Sequence, residues 1–196
     1  MTRRLFFITH GDVVIDPNVP VPDWPLSQVG RRRHAIAARA HDLQGVTSVY
    51  CSDERKALDG AEILAQSIDV PVVVVRDLGE TDRSATGYLP RPEFETVADQ
   101  FFACPDVSVR GWETACAAQA RIVQAVRAIV ARNDTGAGDI AIVSHGGVGA
   151  LLLAHVSGQP ISRGFDQPGT GGGNRLTLSL TDLSVLEGWR PIEEDG

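Results

Sequence analysis

The chain has 196 residues, 43% of them hydrophobic, and a formal charge of −7 from 18 basic and 25 acidic residues. That length suits one domain with a substantial core, and an acidic balance without a long single-sign run argues against a nucleic-acid or anionic-membrane footprint. No apolar run approaches the roughly 18 residues that span a bilayer, and Met1-Thr2-Arg3-Arg4 leads straight into a short strand rather than a secretory apolar region. A cytoplasmic location is therefore expected. Cys51, Cys104 and Cys116 are odd in number and lack metal or CxxC spacing, which fits a reducing compartment. Lys56 is the only lysine among the 18 basic residues.

Leu5 to Thr9 reads as a strand, and Ser27 to Leu43, with Val29, Ala37 and Ala40 on one stripe, as a helix capped by Ser27. Val46 to Cys51 is a second strand. Ser52 is placed to cap a helix from about Asp53 to Ile68, followed by a third strand from Val70 to Val75. Glycines and prolines then loosen the pattern around a helix from Pro92 to Phe102, marking about 78–110 as a lid or specificity insertion. A long helix spans Gly111 to Arg132, a loop Asn133 to Gly138, a fourth strand Asp139 to Ser144, and a helix Gly147 to Val156. Leu176 to Leu180 and Val185 to Trp189 close the chain as a β-hairpin. The alternation predicts an α/β fold: a single domain over 1–196, a three-layer sandwich whose mostly parallel central sheet is flanked by helices. The glycine-rich stretch 168–174 precedes a strand rather than opening a helix, so it is not read as a nucleotide cradle.

Two of these strands end in His-Gly pairs, His10-Gly11 and His145-Gly146-Gly147. A lone strand-end histidine is ordinarily a core residue. Ligands of open parallel sheets bind outside the carboxyl ends of the strands, so two such histidines can face one site. Glycines after each allow close backbone approach, and the amides opening the helix after His145 can receive an anion.

These pieces, in order, resemble the histidine phosphatase superfamily, the phosphoglycerate mutase-like family. Thr9-His10-Gly11-Asp12 is similar to the family's Arg-His-Gly-Glu. The run from Leu26 through Gly30 to His34 is similar to Leu-Thr-x-x-Gly-x-x-Gln-Ala, and Ser52 through Ala61 to Ser-Pro-Leu-x-Arg-Ala-x-x-Thr-Ala. Glu80 matches the acidic residue after the third strand, and Ser144-His145-Gly146-Gly147 the closing Ser/Thr-His-Gly-Gly. The resemblance implies a phosphoglycerate mutase-like fold and hydrolysis of a small phosphomonoester without metal or other cofactor. It implies His10 as nucleophile forming a phosphohistidine, Glu80 as proton donor and then base, and His145 stabilising the phosphoryl oxygens. Thr9, Gly11, Lys56, Arg83 and Gly146 are the implied phosphate-binding set.

Two departures stand out. Thr9 replaces the arginine before the nucleophile, and Lys56 falls on the family's second arginine, keeping a point charge but losing the bidentate fork. Arg83 is the first candidate to replace the lost cation, ahead of Arg31 to Arg33 and Arg175, with Arg55 standing in for Lys56 if the register slips. The alternatives are a catalytically weak or inactive phospho-ligand-binding protein of the same fold, a phosphomutase, or a zinc site built from His10, His145, Glu80 and Asp12. The expected partner is a small phosphorylated molecule, with no nucleic acid and no membrane. A homodimer through the hairpin or the insertion is left open.

Overall fold

The apolar runs become the strands of a single sheet with the order β3-β2-β4-β1-β5-β6. A computed structural model describes residues 3–133 and 136–194; the first two residues and part of the expected 133–138 loop lie outside the described residues. The strands are β1 (Arg4–Thr9), β2 (Val46–Cys51), β3 (Val72–Val74), β4 (Asp139–Ser144), β5 (Asn174–Ser179) and β6 (Val185–Pro191). β1 to β4 run parallel, while β5 is antiparallel to β1 and β6 to β5. The expected mostly parallel sheet and C-terminal hairpin are both present.

The period-two alternation of strands sends neighbouring side chains to opposite faces. Leu5, Phe7, Ile140 and Ile142 enter one core with α4 (Ala115–Arg132) and α5 (Gly146–Val156). Phe6, Ile8, Ala141 and Val143 enter the other, with α1 (Gln28–Ala37) and α2 (Arg55–Ile68). α5 is apolar nearly all round because Val148 and Leu152 meet the sheet while Ala150 and Leu151 meet a third cluster, under α3 (Arg91–Ala103). Among the described residues no helix is long and apolar enough to cross a membrane.

Most boundaries fall within two residues of the sequence expectation, and three differences have a visible physical reason. α1 stops at Ala37 rather than Leu43, because Ala40 turns extended and the Ala38 carbonyl is taken by Gln44 Nε2 at 3.0 Å and Ser67 Oγ at 2.9 Å. α4 begins at Ala115, not Gly111: Arg110 and Gly111 hold positive φ of 52° and 82°, and Thr114 caps the helix by accepting from the Ala117 N–H. β3 keeps only three residues of the expected six-residue run 70–75. Pro71 has no amide to donate, and the strand lies at the sheet edge.

The first turn of α1 packs directly on the segment after His10. A Cβ on Gly30 would lie 2.2 Å from the Asp12 carbonyl oxygen, which already accepts from the Ser27 amide at 2.9 Å. Neither backbone can give way cheaply. Gly30→Ala is expected to lower stability by about 1–3 kcal/mol and the thermal midpoint by roughly 3–10 °C, read by calorimetry.

Candidate active site

Parallel pairing sets Thr9 beside Ser144, and the His10 amide donates to the Ser144 carbonyl at 3.0 Å, so both histidines leave adjacent strand ends side by side. Their ring centroids are 5.2 Å apart in an edge-to-face arrangement. His10 Nδ1 lies 2.8 Å from the Gly11 carbonyl, which can only accept, so the proton sits on Nδ1 and the Nε2 lone pair is free. Burial, helped by the Lys56 charge, lowers its pKa to about 4, leaving the imidazole neutral at physiological pH. His145 is fully buried and, chiefly for the same reason, is also lowered to about 4. Its Nε2 pairs with Ser52 Oγ at 2.7 Å, while Nδ1 has no hydrogen-bond partner. The expected Ser52 cap is thus turned to this histidine, and Glu54 stands at the N-cap of α2 instead.

A third histidine supports the first. Buried His34, on α1, accepts from the Gly11 amide through Nε2 at 3.1 Å and is held neutral by burial, with a pKa of about 4. Its ring fits only because position 60 is glycine, where a Cβ would lie 2.7 Å from His34 Cε1. The pair was visible in the motifs: His34 replaces a small alanine and Gly60 a threonine.

Glu80 follows a short turn after β3 and reaches the N-terminus of α5. Its Oε2 accepts from the Gly147 amide and its Oε1 from the Val148 amide, each at 3.0 Å. The helix end read as an anion receptor therefore receives this carboxylate. A cavity of about 240 Å³ lies over this point, with His10, Glu80, Arg83 and Gly146 all on its wall. Arg83 lies 5.0 Å from the ring centre of Phe94 and 5.6 Å from that of Trp112, two further wall residues. Arg163 also lines the cavity, but its guanidinium is shared by Glu95, Asp99 and Asp166.

Thr9, Gly11, Lys56 and His145 lie off the cavity wall. Thr9 is fully buried, and its hydroxyl accepts from the Asn174 amide at 2.9 Å and donates to Gln167 Oε1 at 2.6 Å. Asn174 Nδ2, fixed by the Pro168 carbonyl at 3.2 Å, donates to the same Gln167 oxygen at 3.0 Å. Two donors on one oxygen fix the carboxamide, leaving Gln167 Nε2 as a free donor on the cavity wall beside Gly146. The gap left by the missing arginine thus holds a neutral amide. Lys56 is 3% exposed, and its ammonium is bound by the Glu54 carboxylate and by the Val21 carbonyl at 3.0 Å.

Glu54 is the residue sequence reasoning overlooked. Its Oε1 accepts from the Glu80 amide at 2.8 Å and lies 3.4 Å from His145 Nε2. Burial alone would raise its pKa, but His145, Lys56 and the hydrogen bonds together hold it down at about 2. The signal was the acid at the leucine of Ser-Pro-Leu-x-Arg. Gln167 gave none, since it meets Thr9 only through the fold. Of the other arginines read as candidates, Arg31 and Arg55 pair with Asp59, Arg33 with Glu193 and Arg175 with Asp42, while Arg32 is exposed on α1. Asp12 accepts from Ser27 Oγ at 2.6 Å, and among the described residues no cluster of three His, Cys, Asp or Glu side chains is disposed to hold a metal ion.

The sequence pattern of the histidine phosphatase superfamily (branch 1) matches residues 5–182. The chain belongs to this superfamily. Among solved structures, a mycobacterial glucosyl-3-phosphoglycerate phosphatase with inorganic phosphate superposes with a TM-score of 0.78 at 23% identity, over 98% of this chain and 100% of that one. Bacillus stearothermophilus YhfR gives 0.78, also at 23% identity, covering 98% and 100%. The alpha-ribazole phosphatase of Shigella flexneri gives 0.66 at 20% identity over 90% of each chain. No curated protein matches the chain. These likenesses establish the histidine phosphatase fold, and within it His10 and Glu80 line one cavity while His145 sits buried beside His10.

Proposed function

We propose that this protein is a phosphatase that hydrolyses a small phosphomonoester through a phosphohistidine on His10. The observation that carries the reading is the hydrogen bond from Nδ1 to the Gly11 carbonyl, which leaves Nε2 of a neutral, cavity-lining imidazole free to attack. The Nε2 lone pair forms a bond to phosphorus as the ester P–O bond breaks, and a protonated Glu80 gives its proton to the leaving oxygen. Water then attacks phosphorus, Glu80 takes its proton, the N–P bond breaks, and phosphate leaves. His145, seated behind His10, and Gln167 Nε2 supply neutral hydrogen-bonding groups where negative charge gathers. The mycobacterial and Shigella proteins of the same fold, both phosphatases, accord with this class.

The test is to incubate the protein with a phosphomonoester labelled on phosphorus and quench it during turnover. Acid-labile, alkali-stable label on His10 supports the pathway; turnover without such label sinks it. Glu80→Gln is expected to slow hydrolysis of an alkyl phosphate by about 10²–10⁴-fold, and of p-nitrophenyl phosphate far less, since that leaving group needs little protonation. Equal losses on both substrates would remove Glu80 from the proton-donor role.

A second reading, a phospho-ligand-binding protein of low turnover, is favoured by the capture of Lys56 by Glu54. Restoring the family cation tells them apart. Thr9→Arg raises turnover if the site has merely lost a contact, and lowers it if Gln167 has taken over.

A further inference from the structure

The charges around the two histidines do not suit a dianion. Thr9 and Gln167 are neutral, and the Lys56 ammonium is matched by the Glu54 carboxylate and sealed from solvent. Arg163 is matched by three carboxylates. On the cavity wall this leaves Arg83 as the cation with no carboxylate ion pair among the described residues. Behind Glu54 a second depression is acidic too: Asp23, Asp53, Asp77, Asp82 and Glu113 outnumber Arg76 and Arg121. Among the described residues, the charged or titratable groups that face Glu54 are Lys56 and His145 in contact and His10 through its field; Glu80 meets it through its backbone amide.

We propose that Glu54, by cancelling Lys56 beside the two histidines, makes this a pocket for singly charged phosphoryl groups, so that a phosphomonoester is taken as its monoanion. This rests on the phosphatase reading for the location of the phosphoryl group, and it adds the charge state selected and the residue selecting it. Glu54 Oε1 is 3.4 Å from His145 Nε2, whose ring is 5.2 Å from that of His10, so a second negative charge on the ligand meets a fixed carboxylate across one imidazole. Low-dielectric surroundings make that repulsion large. A phosphate ester loses its second proton near pH 6, so the preferred form dominates only in mildly acidic solution.

Binding rather than turnover tests this, using inorganic phosphate and inorganic sulfate titrated into the protein by calorimetry at about pH 5.5 and about pH 8, to either side of phosphate's second ionisation. Phosphate is expected to bind several-fold, up to about tenfold, more tightly at the lower pH, while sulfate, of the same shape but doubly charged throughout, stays weak and flat. Protonation of His10 or His145 would instead strengthen both ligands together, and that parallel response overturns the proposal. So does phosphate binding that is absent, pH-independent or tighter at the higher pH. Glu54→Gln is expected to tighten both dianions at about pH 8 by about tenfold, and Glu54→Leu to do the same if glutamine does not fold. A folded variant with unchanged affinities overturns the assignment to Glu54; if neither folds, the phosphate and sulfate pair decides on the wild-type protein. Charge-selective binding without label on His10 fails the phosphatase pathway alone, and label without charge selectivity fails this proposal alone.

Discussion

His10→Ala is expected to lower kcat by about 10⁴-fold or more and to abolish trapped phosphoprotein. The size follows from what the ring does. In the proposed pathway it supplies the electron pair that opens the ester, so its loss removes the covalent route entirely rather than weakening one contact. What remains is the neutral frame of His145 and Gln167, which cannot attack phosphorus. The change should be nearly silent in stability. The backbone amide of residue 10 still donates to Ser144, and the strand cores on either face are built from Leu5 to Ile8, not from the imidazole. Steady-state kinetics and a thermal melt on the same preparation test both halves. Turnover within about tenfold of wild type would exclude His10 as the nucleophile.

The second large effect lies away from the cavity. Arg175 is 1% exposed on β5 and meets Asp42 with both terminal nitrogens, while its guanidinium lies 5.4 Å from the Phe6 ring centre. Its Nε already lacks a partner. Asp42→Ala strands this charge in the core and is expected to lower stability by about 3–5 kcal/mol, or roughly 6–20 °C in the thermal midpoint. Removing both partners, as Asp42→Ala with Arg175→Met, should recover most of that loss, because the cost is the unpaired charge rather than the missing bridge. Denaturant titration of the three variants decides it. A double variant less stable than Asp42→Ala alone would show that Arg175 contributes mainly by packing. Arg175, weighed from the sequence as a spare phosphate ligand, is thus engaged in the fold.

What was legible in the sequence was what repeats or stands next to itself. The four-residue apolar cores of β1 and β4 and the stripes of α2 and α4 declare themselves by period, and the histidines by ending two such strands. Ser27 was found as a cap because a cap acts within three residues, and it accepts from Gly30 as expected. The misses are long-range. Ser52 looked like a cap until β4 brought His145 beside it, and Gln167 meets Thr9 across a sequence separation of 158 residues. The end of α1 depended on side chains of Gln44 and Ser67 capturing one carbonyl, which no local propensity encodes. Glu54 was in plain view, but its meaning came only with burial: on a surface it would have been one more acid, and enclosed with Lys56 it sets the charge of the site.

Lys56 has one more consequence. It is the only side-chain amine in the protein, it is 3% exposed, and its lone pair is tied up as an ammonium bound to Glu54 and Val21. An acylating reagent added to the folded protein therefore has a single internal amine to reach, and reaching it requires the contacts to Glu54 and Val21 to open. The slow modification of this one nitrogen, followed by mass, is a clock for the opening of the wall behind the histidines, already present in the natural sequence and requiring no label.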